Sequence, residues 1–281
     1  MDEDLTNSLN EWFKIKMLRT HRIRAGITQA VVAEHIDRSI DSYRVYEQGK
    51  TPIPYTCIDP FAEITGMRDD IRQYMKIIGK SRKRGQPLEA DMRFNALLLS
   101  LGEQYHGEIF KWDSILFPGL LQTEGYHNGP VRKSETNAND ASMRSGWEFK
   151  TERRVTLRAR TDRPKVHYLI GEPAFNMLAK EPRKLQIEQL DYLTACDRIP
   201  GWQIRVLTEP WESGQAKFDL YLPGKSLDAG PAFVYTEVFD SSWCIPDTSR
   251  IAKYDKWRRT RWPRSIRFKE YRDGFWRDRL A

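Results

Sequence analysis

His106 stands three residues after Glu103 and two before Glu108, types and spacing that could serve general acid–base work. A lone histidine on a strand is more often a structural hydrogen-bond donor, and that plainer role is the expected one. The three cysteines, Cys57, Cys196 and Cys244, are far apart and odd in number. There is no CxxC pair, and none of the five histidines stands at ligand spacing from a cysteine, which argues against a disulfide framework or a zinc site. Cys244 beside Trp243 has no base nearby and reads as core. GxSxG, P-loop, HExxH and GxGxxG patterns are absent. The expectation is a chain with no catalytic residues, no metal and no cofactor, and so not an enzyme.

Recognition chemistry concentrates instead between Thr28 and Lys50. Arg44 is the one strong donor for reading a base edge, Ser39 and Ser42 lie near it, and Arg38 can reach the DNA backbone. Ile40 could touch a thymine methyl, and Asp41 could accept from cytosine N4, although a carboxylate near phosphates is unfavourable unless well placed. The elements that must position these residues are short helices. The first spans Phe13–Ala25 and is stopped by Gly26, where a left-handed backbone costs little. Thr28 caps a second over Gln29–Ile36, and Ser39 caps a third that Gly49 ends. Between them the turn needs φ > 0 at Asp37, a residue second only to glycine and asparagine in tolerating it. Further helices fit Thr56–Thr65 and Arg68–Ile78.

The run LRTHRIRAGITQ, then VAEHI and YRVYEQGK, resembles the Cro/C1-type helix-turn-helix family over residues 14–66. The resemblance implies close helix contact at Ala33, buried rings at Tyr43 and Tyr46 that need partners for their hydroxyls, and an ion pair between Arg22 and Glu47. It also implies phosphate contacts from Thr28, Gln29 and Lys50, base-facing positions at Ile40, Asp41 and Val45, and double-stranded DNA as partner. A homodimer is expected, because one such module buries little surface. The plainer alternative is a helix pair kept for protein interaction.

KSRKRGQP, residues 80–87, reads as a basic linker between a first domain over 1–79 and a second over 88–281. The second pattern is α+β. Helices fit Ala90–Leu101, Ala141–Arg160, Pro173–Lys180 and Lys184–Cys196, and strands fit Gly107–Trp112, Lys165–Ile170, Trp202–Thr208, Lys217–Leu222 and Ala232–Val238. The fold class expected is an all-α helix-turn-helix domain followed by an α+β domain with a helical basic tail. SLGEQYHGEIFKWDSILFPGLLQTEGY, TERRVTLRAR and FVYTE resemble the C-terminal domain of WhiJ-type regulators, actinobacterial helix-turn-helix proteins with antitoxin-like members, over about residues 90–240. That resemblance implies a transcriptional regulator with a small partner protein encoded nearby; an antitoxin-like protein that binds such a partner and autoregulates its promoter is the alternative.

Lys150, Arg153, Arg154 and Arg158 fall at i, i+3, i+4 and i+8, one helix face. They could hold an acidic partner, or form a solvated face paired with Glu148 and Glu152, the reading preferred. In the tail, arginines interleave with Trp257, Trp262, Phe268, Tyr271, Phe275 and Trp276; docking of these rings on the domain is favoured over contact with DNA.

The 281 residues suit two domains, and 40% hydrophobic content with nine tryptophans supports packed cores. The net charge of +7 resides mainly in residues 250–281, with twelve basic against four acidic side chains. Such a balance favours a polyanionic partner. The acidic, polar start MDEDLTNSLNEW is no signal peptide, and no stretch is apolar enough to span a bilayer, so a cytoplasmic, nucleoid-associated protein is expected.

Overall fold

Left-handed glycines divide the first helices from one another. Gly26, at φ 68°, follows α1 (Leu9–Arg24), and Gly66, at φ 61°, follows α4 (Ile58–Thr65). Between them lie α2 (Gln29–His35) and α3 (Ile40–Glu47), and α5 (Asp69–Lys80) completes the group. Helix α1 begins four residues before the expected Phe13, because Leu9, Trp12 and Phe13 are all buried. In this computed structural model the described residues are 9–80, 88–90, 92–135, 138–209, 217–237 and 242–280. Of the expected linker, Lys80 is the last residue of α5 and 81–87 lie outside the described residues.

The second region is a mixed sheet flanked by helices. In chain order come β1 (Leu88–Ala90), α6 (Met92–Tyr105) and β2 (Glu108–Asp113). Two single-turn helices, α7 (Glu124–Tyr126) and α8 (Arg132–Ser134), precede α9 (Asp140–Arg158). Then follow β3 (Lys165–Gly171), α10 (Glu172–Leu178), α11 (Arg183–Asp197), β4 (Trp202–Leu207), β5 (Phe218–Leu222), β6 (Phe233–Glu237) and β7 (Ser242–Ile245). Helix α12 (Thr248–Arg261), β8 (Ile266–Arg267) and α13 (Phe268–Leu280) close the chain. Among the described residues the eight strands are ordered β1-β7-β6-β5-β2-β3-β4-β8, with β2, β3 and β4 parallel and the other pairings antiparallel. Helical crossovers make the parallel centre possible. The α+β architecture therefore holds, with three strands, β1, β7 and β8, beyond those expected, and Ala90 belongs to β1 rather than to a helix.

Both sheet faces are covered, which is why β2 reads EIFKWD without clean alternation. Ile109 faces the helical side, in an apolar cluster that includes Leu98, Leu193 and Phe175. Phe110 and Trp112 face the other side, under Ile251, Tyr254 and Trp257 of α12. Four of the tail rings are docked: Trp257 lies 5.0 Å from Trp112 between centroids, Trp262 stacks on His167 at 4.4 Å, Phe268 is buried near Phe175, and Tyr271 lies 4.9 Å from Phe175; the side chains of Phe275 and Trp276 lie outside the described residues. Lys253, Lys256 and Arg259 remain on the outer side of α12. Among the described residues no helix is long and apolar enough to cross a membrane.

The two regions share one core. The cluster that holds Leu98, Leu193 and Phe175 also contains Phe13, Tyr43 and Tyr74 of the first helices. At the seam Trp12 donates through Nε1 to the Asp228 carbonyl at 3.3 Å, and Lys16 reaches the Asp228 carboxylate at 2.8 Å. Trp12 lies so close to Gly230 that a Cβ there would come within 2.2 Å of the indole. His106 meets the same ring edge-on at 5.3 Å.

Candidate nucleic-acid interface

Asp37 takes φ 54° and makes the turn between α2 and α3. The chain there is closed by backbone bonds from Asp37 to Glu34 (3.1 Å) and from Arg38 to Ala33 (2.9 Å). Ala33 is 2% exposed, which lets the two axes approach. Ser39 caps α3 by accepting from the Ser42 amide at 3.1 Å, and Thr28 caps α2 by accepting from Val31 at 3.3 Å. Gly49, at φ 73°, lets the chain leave α3.

A buried carboxylate locks the arrangement. Glu47 accepts from Arg22 at 2.5 and 3.1 Å, from Gln29 at 2.6 Å and from the Tyr43 hydroxyl at 3.1 Å. Burial alone would raise its pKa, but the bonds from Arg22 and Gln29 outweigh that and hold it below its ordinary range. The Arg22–Glu47 pair is therefore present in the geometry. Gln29, expected at a phosphate, spends its side chain on Glu47. Tyr43 has the hydroxyl partner it needs, whereas Tyr46 has none among the described residues.

The outward face of α3 presents Asp41 and Arg44, both exposed and joined by an ion pair of 2.9 Å. Arg38, Ser39 and Lys50 are exposed beside them. Ser42 is partly buried, its hydroxyl 2.8 Å from that of Ser39. Ile40 and Val45 pack partly against the core, so each offers only an edge to a groove. Thr28, Gln29, Ile40 and Arg44 line one shallow concavity between the start of α2 and α3. Arg38 donates to its neighbour's carbonyl, Asp37, at 2.5 Å. The fold thus brings Thr28, Gln29, Ile40 and Arg44 together, with Arg44 held by Asp41 rather than free.

The basic face of α9 lies differently from either expectation. Its four cations do share one side, but that side is turned onto the domain. Arg153 is 8% exposed and pairs with buried Glu103. Lys150 donates to Gln122 Oε1 at 2.7 Å and His127 Nδ1 at 2.9 Å, and burial lowers its pKa to about 8. Arg154 donates to the Gln122 carbonyl at 2.9 Å and sits 5.0 Å from the Trp147 and Tyr192 rings. Arg158, the exposed member, donates to the Tyr192 hydroxyl and Cys196 sulfur. None of the four bonds Glu148 or Glu152 among the described residues, so neither the solvated stripe nor an outward surface for an acidic partner describes them.

Sequence reasoning missed the buried network these residues join. Lys111 bonds Glu103 at 2.9 Å, Asp219 and the Tyr221 hydroxyl. Its signal was a lysine within an otherwise apolar strand core. His106 is fully buried; its Nε2 lies 3.1 Å from the Pro231 carbonyl, and burial pushes its pKa down to about 4. Cys57, Cys196 and Cys244 are buried and free. Among the described residues no group of three His, Cys, Asp or Glu side chains could hold a metal ion.

Comparison with known families finds two matches along the chain. Residues 17–74 match a helix-turn-helix domain family, a DNA-binding class. Residues 100–269, from within α6 through β8, match a family described as a domain of unknown function, DUF5753. No curated protein and no solved structure matches the chain.

Proposed function

Because the chain belongs to the DUF5753 family over more than half its length, with a helix-turn-helix domain ahead of it, we propose that it is a sequence-reading transcriptional regulator of double-stranded DNA. In this reading α3 enters the major groove. Arg44 reads a base edge, with minor contact from Ile40, while Thr28, Arg38, Ser39 and Lys50 hold phosphates. Two copies bind as a dimer in the cytoplasm, the second region senses a partner or ligand, and no catalytic step is involved. The likenesses to Cro/C1-type and WhiJ-type regulators support this assignment of roles. The observation that carries it is the outward face of α3, capped by Ser39 and exposed at Asp41 and Arg44.

The test is binding to fragments of the chain's own promoter region, read by fluorescence anisotropy. Arg44→Ala is expected to cost about 1–3 kcal/mol and to relax base preference. Lys50→Ala is expected to weaken all sequences alike. Log affinity is expected to fall linearly with log salt, with a slope of about −0.9 per phosphate neutralised. Binding indifferent to salt, or an Arg44→Ala variant equal to wild type, overturns the reading.

A further inference from the structure

The seam between the two regions holds an open cleft of about 600 Å³, the scale of a nucleotide-sized ligand. One wall is a single face of α1, where Lys16, Arg19, Thr20, Ile23 and Arg24 follow at i, i+3, i+4, i+7 and i+8. The facing wall is built from α6 and α9, with Gln104, Tyr105, Glu152 and Thr156 among its residues.

The charges of this cleft are unevenly satisfied. Lys16 is paired with Asp228 and lies 4.5 Å from the centre of the Tyr105 ring. Arg153 is taken by Glu103. Arg19 and Arg24 are exposed and make no side-chain hydrogen bond or ion pair among the described residues. Facing them, Gln104 and Thr156 are neutral and equally unengaged; Glu152 is the one carboxylate without an ion pair in the lining. Two exposed guanidiniums outside any ion pair, Arg19 with only a longer-range attraction to Asp228, stand beside neutral donors and an aromatic edge and suit a phosphate with a polar body, because guanidinium–phosphate bonds are bidentate and strong.

We propose that this cleft binds a small phosphorylated molecule of nucleotide size, its phosphate held by Arg19 and Arg24 and its body against Gln104, Tyr105 and Thr156. Such a ligand bridges α1 to α6 and α9. Helix α1 also carries Arg22, the partner of Glu47 in α3. Occupancy therefore biases how the recognition helix is held, and linkage makes the effect mutual: DNA changes the affinity for the ligand by the factor by which the ligand changes the affinity for DNA. This coupling rests on the regulator reading; the binding site does not.

The test is calorimetric titration of the full chain with ADP and with inorganic pyrophosphate. Wild type is expected to bind at least one of them with a Kd below about 1 mM. Arg19→Ala/Arg24→Ala, whose sites are exposed and leave the fold intact, is expected to weaken binding at least about tenfold. Gln104→Glu, which adds a carboxylate to the opposite wall, is expected to weaken it likewise, and Lys256→Ala on the far tail helix to leave it unchanged. Absence of binding by both probes, or equal loss in Lys256→Ala, overturns the site. Promoter affinity is then measured with and without the bound probe. A shift of about threefold or more supports the coupling, and no shift refutes it. Probe binding without any DNA binding sinks the regulator reading and leaves the cleft standing.

Discussion

Asp37 carries the turn of the helix-turn-helix in a left-handed conformation, at φ 54°. Its short polar side chain makes that region tolerable, and a methyl group does not. Asp37→Ala is expected to lower stability by about 1 kcal/mol, whereas Asp37→Gly is expected to stay within about 0.5 kcal/mol, because relief of strain is offset by a freer unfolded chain. Urea midpoints at constant slope check both. Glu47 sets a pH dependence of its own. Its pKa is lower folded than the ordinary 4.5, so the unfolded chain takes up the proton first. Its contribution is fully present above 4.5 and is lost as pH falls through the lower folded value. Wild type is expected to lose stability across that acidic window and Glu47→Gln to lose less, as followed by circular dichroism. At neutral pH Glu47→Ala, which strands Arg22, is expected to cost about 3 kcal/mol. At this scale the sequence was legible wherever local rules operate, with Thr28 and Ser39 as caps and Asp37 as turn; the Arg22–Glu47 pair, 25 residues apart, came from the family resemblance. The sequence was silent on Gln29 and Asp41, whose partners are set by side-chain reach in the folded chain.

Among the elements, the tail shows how a strongly basic helix can still be structural. Trp257 contacts Trp112 at 5.0 Å and Phe218 at 5.4 Å, while Arg250, Lys253, Lys256 and Arg259 of α12 are exposed. Trp257→Ala is expected to destabilise the second region by about 3 kcal/mol, measured by guanidinium denaturation, without altering the salt slope of DNA binding. Amphipathic spacing made the docking readable. The sheet's borders were not. Ser242–Ile245 and Ile266–Arg267 are four and two residues long, too short for periodicity, and they become strands only because β6 and β4 offer them unpaired edges. The stripe on α9 was right in spacing and wrong in direction, since four cations at helical intervals say nothing about whether aromatic rings such as Trp147 and Tyr192 await them.

For the molecule as a whole, the seam matters more than the suspected linker. Trp12 and Asp228 lie 216 residues apart in the chain, and no local pattern reports such a pairing. His106, caged by Trp12, Tyr221 and Phe233, makes the seam sensitive to acid. Burial, reinforced by the charge of Arg160, holds its pKa near 4 against an ordinary 6.5, despite the Pro231 carbonyl. The unfolded chain thus accepts the proton first; the contribution is complete above 6.5 and fades as pH drops towards 4. The full loss is on the order of 3 kcal/mol. Hydrogen exchange of α1 amides is expected to accelerate over that window in wild type and to stay flat in His106→Gln.

The absence of a side chain at Gly230, where the Trp12 indole rests, also bears on transplantation of the reading head. A chimera that exchanges residues 9–80 for the head of a relative brings a foreign ring against a socket shaped for this one. Heads and bodies are therefore interchangeable only as matched sets, with the Asp228–Gly230 loop travelling together with the helix it grips.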